Sequence, residues 1–205
     1  MSRHVRFSSP LISRALYHPI SPLGEVSTLV RPTPYRIRVA RTPRARVHHL
    51  LAFTQRPLLI NYNFSFPPSS ITSLVRGLPT SLFGEPATDP PQLRLTLIHA
   101  CIPWRITIVA SNARYVNVND VLMGLYTTLR TNVTLTEFNS LERARHREKV
   151  CKSYRKRYRR LRGQDYVREK MQGMKRIDFM IGHTKFLGLT QRSSSQPDVW
   201  QVEAA

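Results

Sequence analysis

Glycine, cysteine and acidic residues are all scarce in this chain, and each scarcity removes a class of function. Eight glycines in 205 residues leave little material for a phosphate-cradling loop, and no Walker loop, GxSxG turn or HExxH helix occurs. The two cysteines, Cys101 and Cys151, form neither a CxxC pair nor a disulfide framework, which points to free thiols in a reducing compartment. His99 and Cys101 make the one close His/Cys pair of the folded region, whereas a zinc site takes three or four ligands. No metal, cofactor or catalytic residue is therefore assigned. No apolar run reaches the roughly 18 residues of a membrane span, and the N-terminus lacks the continuous apolar stretch of a secretory signal.

The scarcity of acid leaves the dominant feature. Thirty-two Lys and Arg face twelve Asp and Glu, for a net charge of +20 and an isoelectric point near 11.2. A charge of that size attracts nucleic acid, anionic membrane surface or acidic protein. It is unevenly placed: residues 1–56 carry +9, 57–140 carry +1, 141–192 carry +12 and 193–205 carry −2. A near-neutral centre is thus flanked by basic material.

Residues 1–48 are rich in Pro, Arg and Ser and read as a disordered arm. A mitochondrial presequence is the lesser reading of that arm, because Pro10 interrupts the amphipathic helix it would need. The main localisation expected is intracellular, cytoplasmic or nuclear. Residues 49–203 read as one α+β domain. A strand is expected at INYNFSF (60–66), ended by Pro67-Pro68, then a short helical turn near Pro79–Phe83. Strands follow at LRLTLIH (93–99) and WRITIVA (104–110), the second covered on both faces, and SNAR (111–114) turns into YVNV (115–118).

Beyond that point the apolar period lengthens from two to nearly four. Asn119 is expected to cap a helix with Asp120 in its first turn. Thr134-Leu-Thr-Glu137 has the pattern of a capping box opening a helix that runs to Leu161. On it Leu141, Ala144, Cys151, Tyr154, Tyr158 and Leu161 share an inward stripe, with Gly163 as the stop. KRIDFMI and TKFLGLT suggest a hairpin turning at Gly182-His183, and PDVWQVEA a last strand. The fold expected is one antiparallel sheet of five or six strands with two helices on one face.

The segments NYNFSFPPSSIT, LTLIHACIPWRITI, YVNVNDVLMGLYTTLRTNVTLTEFNSL and GMKRIDFMIGHTKFLGL, closed by VW at 199–200, occur in an order that adds a resemblance. Over roughly residues 55–202 the chain resembles an uncharacterised domain of unknown function abundant in mushroom-forming (basidiomycete) fungi. The resemblance marks His99, Trp104, Asp120, Tyr126, Asp178, Phe179, Gly182, Gly188 and Trp200, implies one α+β domain, and transfers no catalytic residue. Asn63 stands where that family often has Asp, and His99-Ala100 where it commonly has His-Pro.

The strongest functional signal is YRKRYRRLRGQDYVREK (154–170). With the tyrosines inward, Arg143, Arg147, Lys149, Lys156, Arg157, Arg159 and Arg160 face outward as candidate polyanion contacts. Tyr154, Tyr158 and Tyr166 would either stack on unpaired bases or enter the core. The function expected is a non-enzymatic intracellular module whose basic helix (about 143–162) contacts an acidic partner, nucleic acid among the candidates. One alternative is a protein-interaction or structural domain whose basic face is merely solvated, or a nuclear-import signal. The other is a small hydrolase using His99 and His183 with Lys185. Asp178, between apolar neighbours, reads as half of a structural ion pair.

Overall fold

Asn117 opens the longest stretch of core helix. Its side chain accepts the Asp120 N–H at 2.7 Å, and the Asp120 carboxylate accepts the Asn117 N–H at 3.0 Å. This reciprocal cap satisfies two otherwise orphaned donors and starts α1, Val118–Arg130. The cap is thus Asn117, two residues before the expected Asn119. Taking it for the cap also denies YVNV its strand: only an isolated bridge between Pro86 and Asn117 remains.

The computed structural model describes residues 45–53, 59–141, 143–192, 196 and 198–205. The arm expected over 1–48 therefore lies outside the described residues up to position 44. Its last residues are ordered, since Arg46–Val47 (β1) pairs antiparallel with Thr88–Asp89 (β4). A second small ribbon pairs Ile60–Asn61 (β2) with Thr72–Ser73 (β3). A 3-10 turn at Thr80–Gly84 stands where a short helical turn was expected.

The main sheet holds Arg94–Ile98 (β5), Ile106–Val109 (β6), Phe186–Gln191 (β7) and Val199–Ala204 (β8) in the order β6-β5-β8-β7. Instead of one antiparallel sheet of five or six strands, the described residues form sheets of four, two and two strands. The β5–β8 pair is parallel, because the C-terminal strand inserts between β5 and β7.

The expected hairpin at Gly182-His183 fails for a local reason. Asp178 accepts the Lys175 N–H at 2.9 Å, which curls Arg176–Met180 into a 3-10 turn, and β7 is left to pair with β8. The outer edge of β7 is covered by two segments. Phe186 N–H donates to Tyr62 O at 2.9 Å and Phe64 N–H to Thr184 O at 2.9 Å, while Phe53 N–H donates to Leu189 O at 3.1 Å. That second approach needs Gly188: a methyl group there would stand 2.4 Å from Phe53 N, and φ is +134°. A strand edge buried in this way is not open to edge-to-edge pairing.

Leu95, Leu97, Ile106, Ile108, Trp200 and Val202 face α1 residues Val121, Leu122, Leu125 and Leu129 in one core, each such side chain contributing about 1.5–3 kcal/mol on burial. Thr107 and Val109 are exposed, so β6 is covered on one face only. The expected 134–161 helix is two helices. Thr134 and Glu137 do form the capping box of α2, Leu135–Asn139, but the chain turns at Ser140 and resumes as α3, Ala144–Arg159. Leu141 is buried at the break. A fourth helix, α4 (Gly163–Met171), follows, and Gly163 turns the chain there with φ +56°. The second long helix does not lie on the sheet as expected: α3 packs on α4 and on the 176–180 turn. Among the described residues no helix is long and apolar enough to cross a membrane.

Candidate polyanion-binding cleft

The basic helix has two very different sides. On the inner side, Val150 and Tyr158 are buried, and Tyr154, Tyr158 and Tyr166 form an edge-to-face chain with centroids 4.9 and 5.4 Å apart. The Tyr154 hydroxyl donates to Lys170 O at 2.7 Å. These rings join α3 to α4 and are not free to stack on bases. Leu161 and Ala144, expected inward, are exposed.

Arg157 also belongs to the inner side, a correction to its outward placement. Its Nε donates to Asp178 Oδ1 at 2.8 Å, its Nη2 to Asp178 Oδ2 at 2.9 Å and to Gly173 O at 3.0 Å, and its Nη1 to Glu169. Glu169 Oε1 also accepts Lys175 Nζ at 2.8 Å and lies 3.5 Å from Arg130 Nη2. Burial pushes the Glu169 carboxyl up, but the Lys175 hydrogen bond and the charges of Arg130, Lys175 and Arg157 outweigh it, leaving the group below its ordinary value. Asp178 is 1% exposed, as expected of a structural ion pair. The network welds α3, α4 and the 176–180 turn together.

On the outer side α3 walls a cleft of about 690 Å³. Lys149, Lys152 and Lys156 line it from α3, Arg160 from the C-cap of that helix, Arg168 from α4, and Ser65, Phe66, Ile181 and Thr184 from loops. Three- and four-residue steps put the α3 cations on one helical stripe. Glu169 and Asp178 form part of the wall but are paired with Arg157, and Asp165 is paired with Arg168 at 2.6 Å. Among the described residues no carboxylate pairs with Lys149, Lys152, Lys156 or Arg160. The cleft therefore has an uncompensated positive wall over a neutralised floor.

Of the predicted contacts, Lys149, Lys156 and Arg160 meet in the cleft, with Arg157 as its structural wall. Arg143 precedes α3, and Arg147 and Arg159 lie elsewhere on the helix. Lys152, Arg168 and Phe66 are additional cleft residues. The 149–152–156–160 spacing carried a signal for Lys152. Nothing local marked Phe66, which is brought there by the fold.

A model of a "Family of unknown function (DUF6699)" matches residues 60–198. The chain belongs to that family. No curated protein and no solved structure matches the chain. Every residue that lines the cleft lies inside the DUF6699 match, whereas β1 and the whole of β8 lie outside it.

The histidines deserve separate placement within the DUF6699 domain. His99 Nδ1 accepts the Cys101 N–H at 3.1 Å. Burial first, then the nearby His183, lowers the basicity of His99, with Glu203 opposing them. The two imidazoles are thus electrostatic neighbours; neither lines the cleft, although Gly182 and Thr184, on either side of His183, do. Among the described residues no three His, Cys, Asp or Glu side chains gather as metal ligands.

Proposed function

We propose that this DUF6699 protein is a non-enzymatic, intracellular binding module whose α3 face and adjoining cleft contact an acidic partner, with nucleic acid as the favoured class. The observation that carries the reading is the helical stripe of Lys149, Lys152, Lys156 and Arg160 along one cleft wall, unpaired with acid. Phosphate contacts need positive groups on a rigid support, and the Arg157–Asp178–Glu169 network makes α3 such a support. The free state of Cys101 and Cys151 suits a reducing compartment, cytoplasmic or nuclear. The likeness to a domain of mushroom-forming fungi belongs to the same reading.

Binding of labelled RNA or DNA oligonucleotides across a salt series tests this. With four phosphate contacts, log affinity for a single strand falls against log salt with a slope of about −3. Absence of binding at about 50 mM salt, or affinity unchanged at several hundred millimolar, overturns it. A protein-interaction reading has one observation in its favour: Val167 and Met171 on α4 are 51% and 82% exposed, an apolar strip beside the basic cleft.

A further inference from the structure

The geometry points to single-stranded nucleic acid as the occupant of the cleft, with an unpaired base seated on Phe66 and its phosphates on the α3 stripe. This inference rests on the polyanion reading above and names its ligand. Phe66 is 57% exposed and lines the same cleft as Lys149, Lys152, Lys156 and Arg160. Among the described residues its ring meets no other aromatic ring, unlike Tyr154, Tyr158 and Tyr166, which are occupied with one another.

The ring is held out by its backbone. Asn63 Oδ1 accepts the Ser65 N–H at 2.8 Å, and Asn63 O accepts the Phe66 N–H at 3.0 Å. Asn63 is itself bridged to Lys185 beside β7. Pro67 and the Pro68–Ser70 3-10 turn follow, with fixed proline φ angles that limit the loop's freedom. An exposed apolar ring on a braced turn, in one cleft with a row of cations, is well placed for stacking.

The chemistry selects among polyanions. Lys152, Lys156 and Arg160 follow one another at about 6 Å along the helix axis, a spacing that suits successive phosphates of an extended strand. A base paired within a duplex cannot expose its face to Phe66, whereas an unpaired base can. A run of peptide carboxylates has no flat ring to offer. The volume of about 690 Å³ lies within the roughly 300–1,000 Å³ of sites that take small organic groups, enough for a base and its sugar but not for a double helix.

The test measures binding by the full chain to a single-stranded uridine oligomer, its duplex with adenosine, inorganic polyphosphate and poly-glutamate. For Phe66→Ala, affinity for the single strand is expected to fall about five- to a hundredfold, while affinity for polyphosphate is unchanged and Phe66→Tyr restores the single strand. The exposed position keeps Phe66→Ala folded, with melting little changed. Binding of the single strand that is indifferent to Phe66→Ala overturns the inference and leaves the polyanion reading standing. An equal loss on polyphosphate, or tighter binding of duplex or poly-glutamate than of the single strand, also overturns it. No binding to any of the four removes both readings together.

Discussion

The Arg157 guanidinium holds the Asp178 carboxylate through two parallel hydrogen bonds, Nε to Oδ1 at 2.8 Å and Nη2 to Oδ2 at 2.9 Å. Such a fork is specific to arginine, and at 1% exposure Asp178 has no water to replace it. The outward placement read from the sequence for Arg157, Arg159 and Arg160 alike implies that Gln at all three barely alters melting. The structure separates them. Arg157→Gln leaves Asp178 buried and uncompensated, a loss of about 3–5 kcal/mol, while Arg159→Gln and Arg160→Gln stay within about 0.5 kcal/mol. Arg157→Lys falls between, keeping charge without the fork. Urea unfolding of the three single variants and the Lys variant checks this; a loss below about 1 kcal/mol for Arg157→Gln refutes the weld.

Gly188 predicts a backbone effect of similar size from a different cause. Its φ of +134° is open to glycine and strained for other residues, and the Phe53 backbone occupies the space a methyl would need. Gly188→Ala therefore separates the 51–53 segment from β7, at a cost of about 3 kcal/mol or more. Hydrogen exchange should show early loss of protection at Phe53 and Leu189, whose N–H groups bond across that contact. Unchanged protection there would mean the segment is held by something else.

Acid should weaken the fold through its glutamates. For Glu137, as for Glu169, burial pushes the carboxyl up, but the Thr134 backbone and Arg176 outweigh it and hold the group below the ordinary value near 4.5. Both groups thus stay ionised in the folded chain at pH values where the unfolded chain takes up protons. Their contribution is complete above about pH 4.5 and is lost as pH falls through their folded values. Unfolding midpoints measured from pH 7 down to pH 3 should decline steeply over the last stretch. Glu169→Gln should lower stability at pH 7 and flatten that decline; an unaltered slope would exclude Glu169 as a source.

Much of the α+β architecture was legible because it is written in local periods. The alternation in LRLTLIH and the capping pattern at Thr134-Glu137 are short-range signals, and β5 and the α2 box follow from them. What failed was competition from polar side chains, local at Asn117 and Lys175 and long-range at Arg157. KRIDFMI has an apolar alternation fit for a strand, but Asp178 is drawn to the Lys175 N–H and to Arg157, 21 residues earlier. YVNV loses its strand because Asn117 is the cap of α1. The parallel insertion of β8 beside β5 has no local mark at all. For the cleft, the sequence showed charge but not direction: Arg157 and Arg159 are two residues apart, yet one enters an ion-pair network and the other faces water.

Direction also supplies a charge-matched test of the cleft. Lys149, Lys152 and Lys156 line it, whereas Arg145, Arg155 and Arg159 are exposed elsewhere on α3. Converting either set to Gln removes three positive charges, so a diffuse attraction of the whole helix would weaken both variants equally. A localised site would not. The lysine triple variant is expected to lose about 2 from the salt slope on a single strand, near 0.7 per lost contact, while the arginine triple variant keeps the slope and loses only long-range attraction. Both sets are solvent-facing, and melting should be nearly unchanged in each. Equal slopes for the two variants would dissolve the cleft into a general basic surface.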